Sequence, residues 1–224
     1  MSTTSRRRKK GGIPPIVPIA IAVVAGLGLF AVILTSGGGS TADAAVSGDP
    51  LPPYQADAPE DEAVGETAPT VVGEDFDGSE VTIDYDGDPT VVIFLTHWCP
   101  ACQREAPQVQ DVIDDGGLPD DVDLVTVSTA SERNADNYPP DDWLESLGWE
   151  PPIVVDDDDD SVAQAFGLTI YPFWVVLDGD GTVVSRHGLL DEQGIRQLFA
   201  ELSDEEAARA EPATPRVRAD AAEG

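Results

Sequence analysis

The hydrophobic pattern of the chain changes several times along its length, and each change predicts a boundary. Residues 13–34 contain no charged side chain, and a helix of that length spans roughly the 30 Å hydrocarbon core of a bilayer. Residues 35–64 are rich in Gly, Ser, Ala, Pro and Asp, which predicts a flexible acidic linker. Residues 65–202 alternate apolar runs with helical patterns and predict the folded domain, whereas residues 203–224 predict a disordered acidic tail.

Within the folded segment, short β-branched runs alternate with stretches of helical periodicity. The predicted elements, in order, are strands 81–83 and 90–95, helix 100–113, strand 122–127, helix 143–147, strand 152–155, helix 161–166, strands 173–177 and 182–186, and a helix from an N-cap at Asp191 to about 202. Such an order predicts an α/β fold with one central mixed β-sheet and helices on both faces.

Charge is distributed as unevenly as hydrophobicity. Five of the twelve Lys and Arg residues lie at 6–10, and no acid precedes Asp43. The positive-inside rule therefore places residues 1–12 in the cytoplasm and the C-terminal domain outside a single-pass cell-membrane anchor. A cleaved signal peptide is the alternative, because Ala42-Asp43-Ala44 has a small-x-small pattern. Signal h-regions run about 7–15 residues, however, and the segment at 13–34 is longer.

The remaining chain is strongly acidic. Seven basic residues stand against all 43 acids from Asp43 onward, a formal charge of −36, which excludes nucleic-acid binding because such a surface repels phosphates. A run of five aspartates at 156–160 predicts a solvated acidic surface. Asp178-Gly179-Asp180 begins like a calcium loop, but Val183 and Leu189 stand where an EF-hand needs glycine and glutamate.

Cys99 and Cys102 are the two cysteines of the chain, and they directly follow a predicted buried strand at the start of a predicted helix. Unpaired N–H groups and the helix dipole favour an anion there, so Cys99 is expected to attack as a thiolate. Cys102, one turn further, can then resolve a mixed disulfide. Two inert thiols, or a zinc site completed by His97 and His187, are the alternatives; the strand–CxxC–helix context explains both cysteines without them.

Three motifs accompany the cysteine pair. They are Gly65-Glu66-Thr67-Ala68-Pro69, the run Phe94 to Pro107 with its WCPAC and C-x-x-E-x-P patterns, and the segment Gly167 to Phe173. With these motifs the chain resembles the thioredoxin superfamily and, within it, the membrane-anchored extracytoplasmic thiol-disulfide oxidoreductases of the TlpA/ResA and Dsb type. The resemblance covers roughly residues 65–202 and implies a thioredoxin-like fold.

The resemblance also implies a role for each motif residue. Cys99 and Cys102 would form the redox-active disulfide, and Glu105 would transfer protons and tune cysteine acidity; burial would raise the pKa of its carboxyl group toward that task. The implied substrate-binding residues are Trp98, Tyr171 and a cis Pro172. No cofactor and no metal are implied.

Several of these assignments have a plain structural alternative. Glu105 could be a solvated helix glutamate, and Trp98 could be an ordinary core residue. His97 could stabilise a thiolate when protonated, but a surface position is preferred. Thioredoxins themselves carry a buried aspartate where this chain has Ile93, so the extracytoplasmic branch, which uses Glu105, fits better.

The expected function is that of a membrane-tethered thiol-disulfide oxidoreductase acting on protein substrates outside the cytoplasm. It would reduce cysteines of apocytochrome c before haem attachment, or oxidise and repair disulfides in secreted proteins. We expect a monomer served by a membrane electron donor or acceptor. A peroxiredoxin-type peroxidase is an alternative, since Thr96-x-x-Cys99 resembles a peroxidatic motif. A copper- or zinc-binding module using Cys99, Cys102 and His97 is another.

The acidic composition makes a prediction about salt. The near-absence of lysine and the high negative charge are typical of halophilic proteins, in which screening removes self-repulsion. We therefore expect the melting temperature of the protein to rise between dilute buffer and about 2 M KCl. A melting temperature that stays constant or falls over that range would contradict the halophilic interpretation.

Overall fold

The structure is a computed structural model that describes residues 44–85 and 87–210, with side chains up to residue 203. Within those ranges, no helix has both the length and the hydropathy that a membrane span requires. The predicted cytoplasmic tail at 1–12 and the predicted anchor at 13–34 lie outside the described residues.

The described residues form eight strands and four helices. In chain order they are β1 (Ala45–Ser47), β2 (Thr70–Glu74), β3 (Glu80–Ile83), β4 (Thr90–Leu95), α1 (Pro100–Asp114), β5 (Asp123–Ser128), α2 (Pro140–Ser146), β6 (Ile153–Val155), α3 (Ser161–Ala165), β7 (Phe173–Leu177), β8 (Val183–His187) and α4 (Glu192–Ala210). Every strand and helix that the sequence predicts within residues 65–202 is present, with β4 and β7 matching to the residue.

The central sheet is mixed and has the order β6-β5-β4-β7-β8. Strand β4 pairs in parallel with β5 and antiparallel with β7, which confirms the predicted mixed sheet. All six residues of β4 are buried, because successive side chains point to opposite faces and both faces are covered. Helices α1 and α4 pack on one face, together with Ile93 and Leu95, while Phe94 packs with Phe166 and Phe173 on the other.

A second, three-stranded antiparallel sheet has the order β1-β2-β3. The sequence predicts only β3 of these strands, because β1 and β2 are short and carry few large apolar residues. Gly73 of β2 lies so close to β6 that a Cβ atom there would stand 2.8 Å from Val154 Cγ1. Glycine is therefore required at this position by the approach of the two sheets.

The prediction of a flexible linker over residues 35–64 is wrong for its described part, residues 44–64. This segment contributes β1 and two residues of the core, Leu51 and Ala63, which are 5 % and 0 % exposed. Its backbone is also fixed, since the Leu51 N–H donates to the carbonyl oxygen of Ala165 at 2.8 Å and the Tyr54 N–H donates to that of Gly167 at 2.8 Å.

A buried arginine explains why this polar segment is ordered. The guanidinium of Arg186 on β8 is fully buried and donates to both carboxylate oxygens of Asp61, as well as to the carbonyl oxygens of Pro52 and Phe166. A buried charge requires such partners, and residues 44–64 supply two of them, Asp61 and Pro52, from far away in the sequence. The same contact holds the pKa of Asp61 below its ordinary value.

The structure differs from two further predictions, and both concern acidic segments. Helix α4 begins after the predicted N-cap, where the Gly194 N–H donates to Asp191 Oδ1 at 2.8 Å. It continues to Ala210 instead of ending near 202, so residues 203–210 are not the disordered tail that the sequence predicts; residues 211–224 lie outside the described residues.

The aspartate run at 156–160 is only partly the solvated surface that the sequence predicts. Asp156 is 8 % exposed, and its carboxylate accepts the N–H groups of Val162 and Ala163 at the start of α3, at 2.9 and 3.0 Å. Asp160 adopts a left-handed backbone with φ of 55°, and it accepts the Ala130 N–H at 2.9 Å. These carboxylates therefore cap a helix and fix a loop.

Candidate redox site

The two cysteines lie where β4 ends and α1 begins, but in different environments. Cys99 is the N-cap residue of α1 and is half-buried, whereas Cys102 is 0 % exposed. Both are free thiols. The Cys99 thiol lies 3.8 Å from the carbonyl oxygen of Tyr171 and donates to it.

This difference in burial divides the chemistry between the two thiols. A partner disulfide can reach Cys99 from solvent, but it cannot reach Cys102. Burial raises the pKa of the Cys102 thiol well above its ordinary value, because the low-dielectric interior disfavours the thiolate. Cys102 therefore stays protonated near neutral pH and needs a base to become a nucleophile.

The segment before β7, which contains Tyr171 and Pro172, lies beside Cys99. The Tyr171–Pro172 peptide bond is cis, as the resemblance implies, and Pro172 is buried. The Tyr171 ring packs edge-on against Trp98, with ring centroids 6.0 Å apart. Burial, with smaller contributions from nearby acids, raises the pKa of Tyr171 to about 12. The structure thus brings together Cys99 and all three predicted substrate-binding residues.

Trp98 is half-buried. It is therefore neither a wholly exposed docking residue nor an ordinary core residue. Its indole N–H donates to the carbonyl oxygen of Ala130 at 2.7 Å, which fixes the ring at the edge of the site. The Ala130 carbonyl belongs to the loop after β5, and no motif in the sequence indicates this partner.

Glu105 is a buried member of the site. It is 0 % exposed, which rules out a solvated helix glutamate. Its Oε1 atom accepts the indole N–H of Trp174 at 2.5 Å and the backbone N–H of Leu190 at 3.2 Å. Burial raises the pKa of Glu105 to about 7, although these two hydrogen bonds favour the carboxylate.

Glu105 also stands next to Cys102 along α1. Residues three apart on a helix lie on one face, and the negative charge of Glu105 contributes to the raised pKa of Cys102. A carboxyl group with a pKa near 7 is suited to accept or return a proton near neutral pH. The pair can therefore pass a proton between a carboxylate and a buried thiol.

His97 is buried, so the predicted surface position is wrong. Its Nδ1 atom lies 2.7 Å from the carbonyl oxygen of Asp136, and its Nε2 atom accepts the Glu132 N–H at 3.1 Å. Nδ1 must then carry the hydrogen, which is the neutral tautomer. The imidazole organises the loop beside the site, and both ring nitrogens are engaged by backbone groups.

The two ring nitrogens of His97 already contact backbone groups. This weighs against a metal site built from His97 and the cysteines. His187, the other histidine of the proposed zinc alternative, lies on β8, where its Nε2 atom is 2.9 Å from Ser185 Oγ. Across residues 44–85 and 87–210, no three His, Cys, Asp or Glu side chains are grouped to hold a metal ion.

Sequence reasoning missed Trp174 and the Leu190 backbone N–H as parts of the site. Trp174 lies within an apolar strand run and gives no sign there of a polar role. It is separated from Glu105 by 69 positions, and no local pattern connects residues so far apart.

Comparisons with known proteins find similar sequences over most of the folded domain. The sequence model of the AhpC/TSA family matches residues 64–199. The chain is 33 % identical over 96 residues to sporulation thiol-disulfide oxidoreductase A of Bacillus subtilis, covering 42 % of this chain and 56 % of that protein. It is 30 % identical over 126 residues to the thiol-disulfide oxidoreductase ResA of Geobacillus thermodenitrificans, covering 54 % of this chain and 67 % of that protein. The chain thus spans little more than half the length of the first relative.

Among solved structures, the fold is similar to a thiol:disulfide interchange protein of the thioredoxin family from Chlorobium tepidum. The TM-score is 0.51 at 19 % identity, over 61 % of this chain and 94 % of that one. At this identity the likeness supports the fold alone. It agrees with the thioredoxin-like α/β fold that the sequence predicts.

The buried carboxyl group of Glu105 makes a prediction about stability and pH. Its pKa rises from 4.5 to about 7 on folding, so between these values the folded state binds a proton that the unfolded state has lost. The wild-type protein therefore loses stability as pH rises through this range. Glu105→Gln removes the ionisation and should become more stable than wild type toward pH 7, by at most about 3 kcal/mol.

Melting temperatures of both proteins between pH 4.5 and 8 measure this difference. Glu145→Gln is the matched control, because Glu145 is exposed on α2 and its replacement should leave the pH profile unchanged. A difference between Glu105→Gln and wild type that stays constant with pH would contradict the assignment of Glu105 as the titrating group.

Proposed function

Because the chain belongs to the AhpC/TSA family, we propose that its domain is a thiol-disulfide oxidoreductase that exchanges disulfides with protein substrates. The observation that carries this proposal is the pairing of a half-exposed Cys99 with a fully buried Cys102 next to Glu105. An accessible nucleophile beside a shielded resolving thiol is the arrangement that two-step disulfide exchange requires. The names of the two curated relatives, both thiol-disulfide oxidoreductases, support the same activity.

The reaction proceeds through a mixed disulfide. The S–H bond of Cys99 breaks and its proton passes to solvent, and the thiolate attacks one sulfur of the substrate disulfide. As the new S–S bond forms, the substrate S–S bond breaks and the other substrate sulfur leaves as a thiolate, which takes up a proton. Cys102 then gives its proton to Glu105, attacks Cys99 Sγ and displaces the second substrate thiolate. The substrate disulfide gains two electrons and becomes two thiols, while Cys99 and Cys102 lose two electrons and become a disulfide.

Substrate chains would bind beside Trp98, Tyr171 and Pro172. The Tyr171 carbonyl oxygen accepts from the half-exposed Cys99 thiol, and the Tyr171 ring packs against Trp98, which precedes Cys99 in the chain. An extended substrate chain can place its cysteine over Cys99 while its backbone lies along the segment before β7, a form of strand addition.

We propose that the reductive direction dominates. The resolving thiol, Cys102, is buried, and this burial raises its pKa and disfavours its thiolate. A disulfide protein is a strong oxidant when its reduced form is stabilised. Burial of Cys102 does not stabilise a thiolate in the reduced form. Reduction of apocytochrome c cysteines before haem attachment is a reaction of this kind.

The setting of the reaction follows from the rest of the sequence. Residues 13–34 would anchor the chain in the cell membrane, with the basic tail in the cytoplasm and the domain outside as a monomer. After each turnover the Cys99–Cys102 disulfide must be reduced again. Both cysteines of the sequence belong to this site, and we propose that a membrane protein supplies the electrons.

A peroxidase function is the second candidate, because Thr96 and Cys99 resemble a peroxidatic motif. The sequence argument against it is that peroxiredoxins rely on an arginine near the segment where this chain has Tyr171 and Pro172. In the described part of the chain, the arginine of β8, Arg186, is instead fully engaged with Asp61 and with the Pro52 and Phe166 carbonyls. The exchange function is therefore preferred.

Trapping of the mixed disulfide tests the proposal. With insulin as a protein disulfide probe, full-length Cys102→Ser in detergent should accumulate a dithiothreitol-sensitive adduct, because no thiol remains to resolve it. Wild type should instead reduce insulin with turnover when dithiothreitol is present, and Cys99→Ser should do neither. Non-reducing gels and insulin turbidity measure these outcomes. Rapid consumption of hydrogen peroxide without any insulin reduction would favour the peroxidase and contradict the proposal.

A further inference from the structure

The two oxygens of the Glu105 carboxylate are in unequal surroundings. Oε1 accepts two N–H groups, from Trp174 and from Leu190. Oε2 is buried and has no hydrogen-bond partner among the described residues. A buried acceptor without a partner is costly and rare in native proteins, so its persistence at a proposed proton-transfer group marks Oε2 as the position where a proton can be bound.

Trp174 is held rigidly enough to impose this difference. Its side chain is 0 % exposed, its backbone pairs with Ile93 on the central strand, and its ring packs edge-on against Phe199 with centroids 6.4 Å apart. The indole N–H is a donor only, and its position is set by packing. It can therefore hold one oxygen of the carboxylate and cannot compete for the proton.

We infer that Trp174 is a positioning residue. Its indole N–H holds Oε1 of Glu105 in a hydrogen bond, which leaves Oε2 as the atom that takes the proton of Cys102. The inference rests on the proposed oxidoreductase function and adds a residue to it. In the resolving step, the S–H bond of Cys102 breaks and an O–H bond forms at Oε2. The Cys102 thiolate then attacks Cys99 Sγ, and the substrate sulfur leaves with the electron pair of the broken disulfide.

The Leu190 N–H does not replace the indole in this role. Its contact with Oε1 is 3.2 Å long, against 2.5 Å for the Trp174 contact, and it comes from the loop between β8 and α4. Without the indole, the carboxylate would lose its shorter hydrogen bond, and either oxygen could take the position near Leu190. The ionised form of Glu105 would also be less favoured, because a donor to the charged group is removed.

The two-step reaction of the full-length protein with 5,5′-dithiobis(2-nitrobenzoate) tests the inference, since each step releases one coloured thiolate. The first release reports attack by Cys99, and the second reports resolution by Cys102. In wild type the rate of the second step should rise with a midpoint near pH 7, the pKa of Glu105. In Trp174→Phe we expect this midpoint about one pH unit higher and the rate on its acid side roughly tenfold lower.

Two variants serve as references. Glu105→Gln should lose the midpoint altogether, because no carboxylate accepts the proton. Trp149→Phe removes an indole N–H that donates to Thr126 Oγ1 instead of Glu105, so it should keep the wild-type midpoint. A Trp174→Phe midpoint equal to that of wild type, with the midpoint lost in Glu105→Gln, would overturn the role of Trp174 and leave the proposed function intact. Release of a single thiolate by wild type, with no protein disulfide formed, would instead overturn the proposed function.

A measurement on the intact indole keeps the inference testable if Trp174→Phe does not fold. In nitrogen–hydrogen correlation spectra, four tryptophans give four indole signals. One of them should shift with pH around the Glu105 midpoint in wild type and lose that response in Glu105→Gln. If every indole signal has the same pH response in wild type and in Glu105→Gln, the hydrogen bond does not follow the ionisation of Glu105 and the inference fails.

Discussion

Burial of strand β4 on both faces determines where the chemistry of this domain takes place. All six of its residues are buried. A shift of the strand by one position would therefore move every side chain to the opposite face of the sheet, where different neighbours are packed. The position of its end is therefore fixed, and Trp98 and Cys99 follow it after two intervening residues. The same layered packing covers Cys102, one helical turn later, and leaves Cys99 half-exposed. The division of roles between the two thiols is thus a consequence of how the sheet is buried.

Burial also raises the pKa of Glu105. A carboxyl group that is out of contact with water prefers to be neutral, and two N–H donors on Oε1 oppose that preference without cancelling it. The result is a group that titrates near neutrality and lies on the same helix face as a thiol that needs a base. The stability that the folded domain loses when Glu105 ionises is the cost of keeping a proton acceptor inside the core.

The sequence predicts much of this arrangement and misses its long-range contacts. Strands β4 and β7 are predicted to the residue because an unbroken apolar run buried on both faces has few alternatives, and the CxxC motif locates the start of α1. The order of residues 44–64 depends instead on remote contacts, among them the ion pair with Arg186 and the backbone hydrogen bonds to Ala165 and Gly167, all more than a hundred positions away. The partners of Glu105 and His97 are also distant in sequence. Trp174 gives no local sign of a polar role, and His97 is recognised as buried only when the loop after β5 folds over it.

The reduction potential of the Cys99–Cys102 pair tests the central claim most directly. It is measured by equilibrating the full-length protein in detergent and high salt against thiol–disulfide buffers and quantifying the oxidised fraction. Our account predicts one reversible two-electron couple at about −270 mV or lower, the range of thioredoxin. A potential near −120 mV, that of the oxidant DsbA, would contradict the reductive direction. The absence of any reversible couple would contradict the oxidoreductase itself.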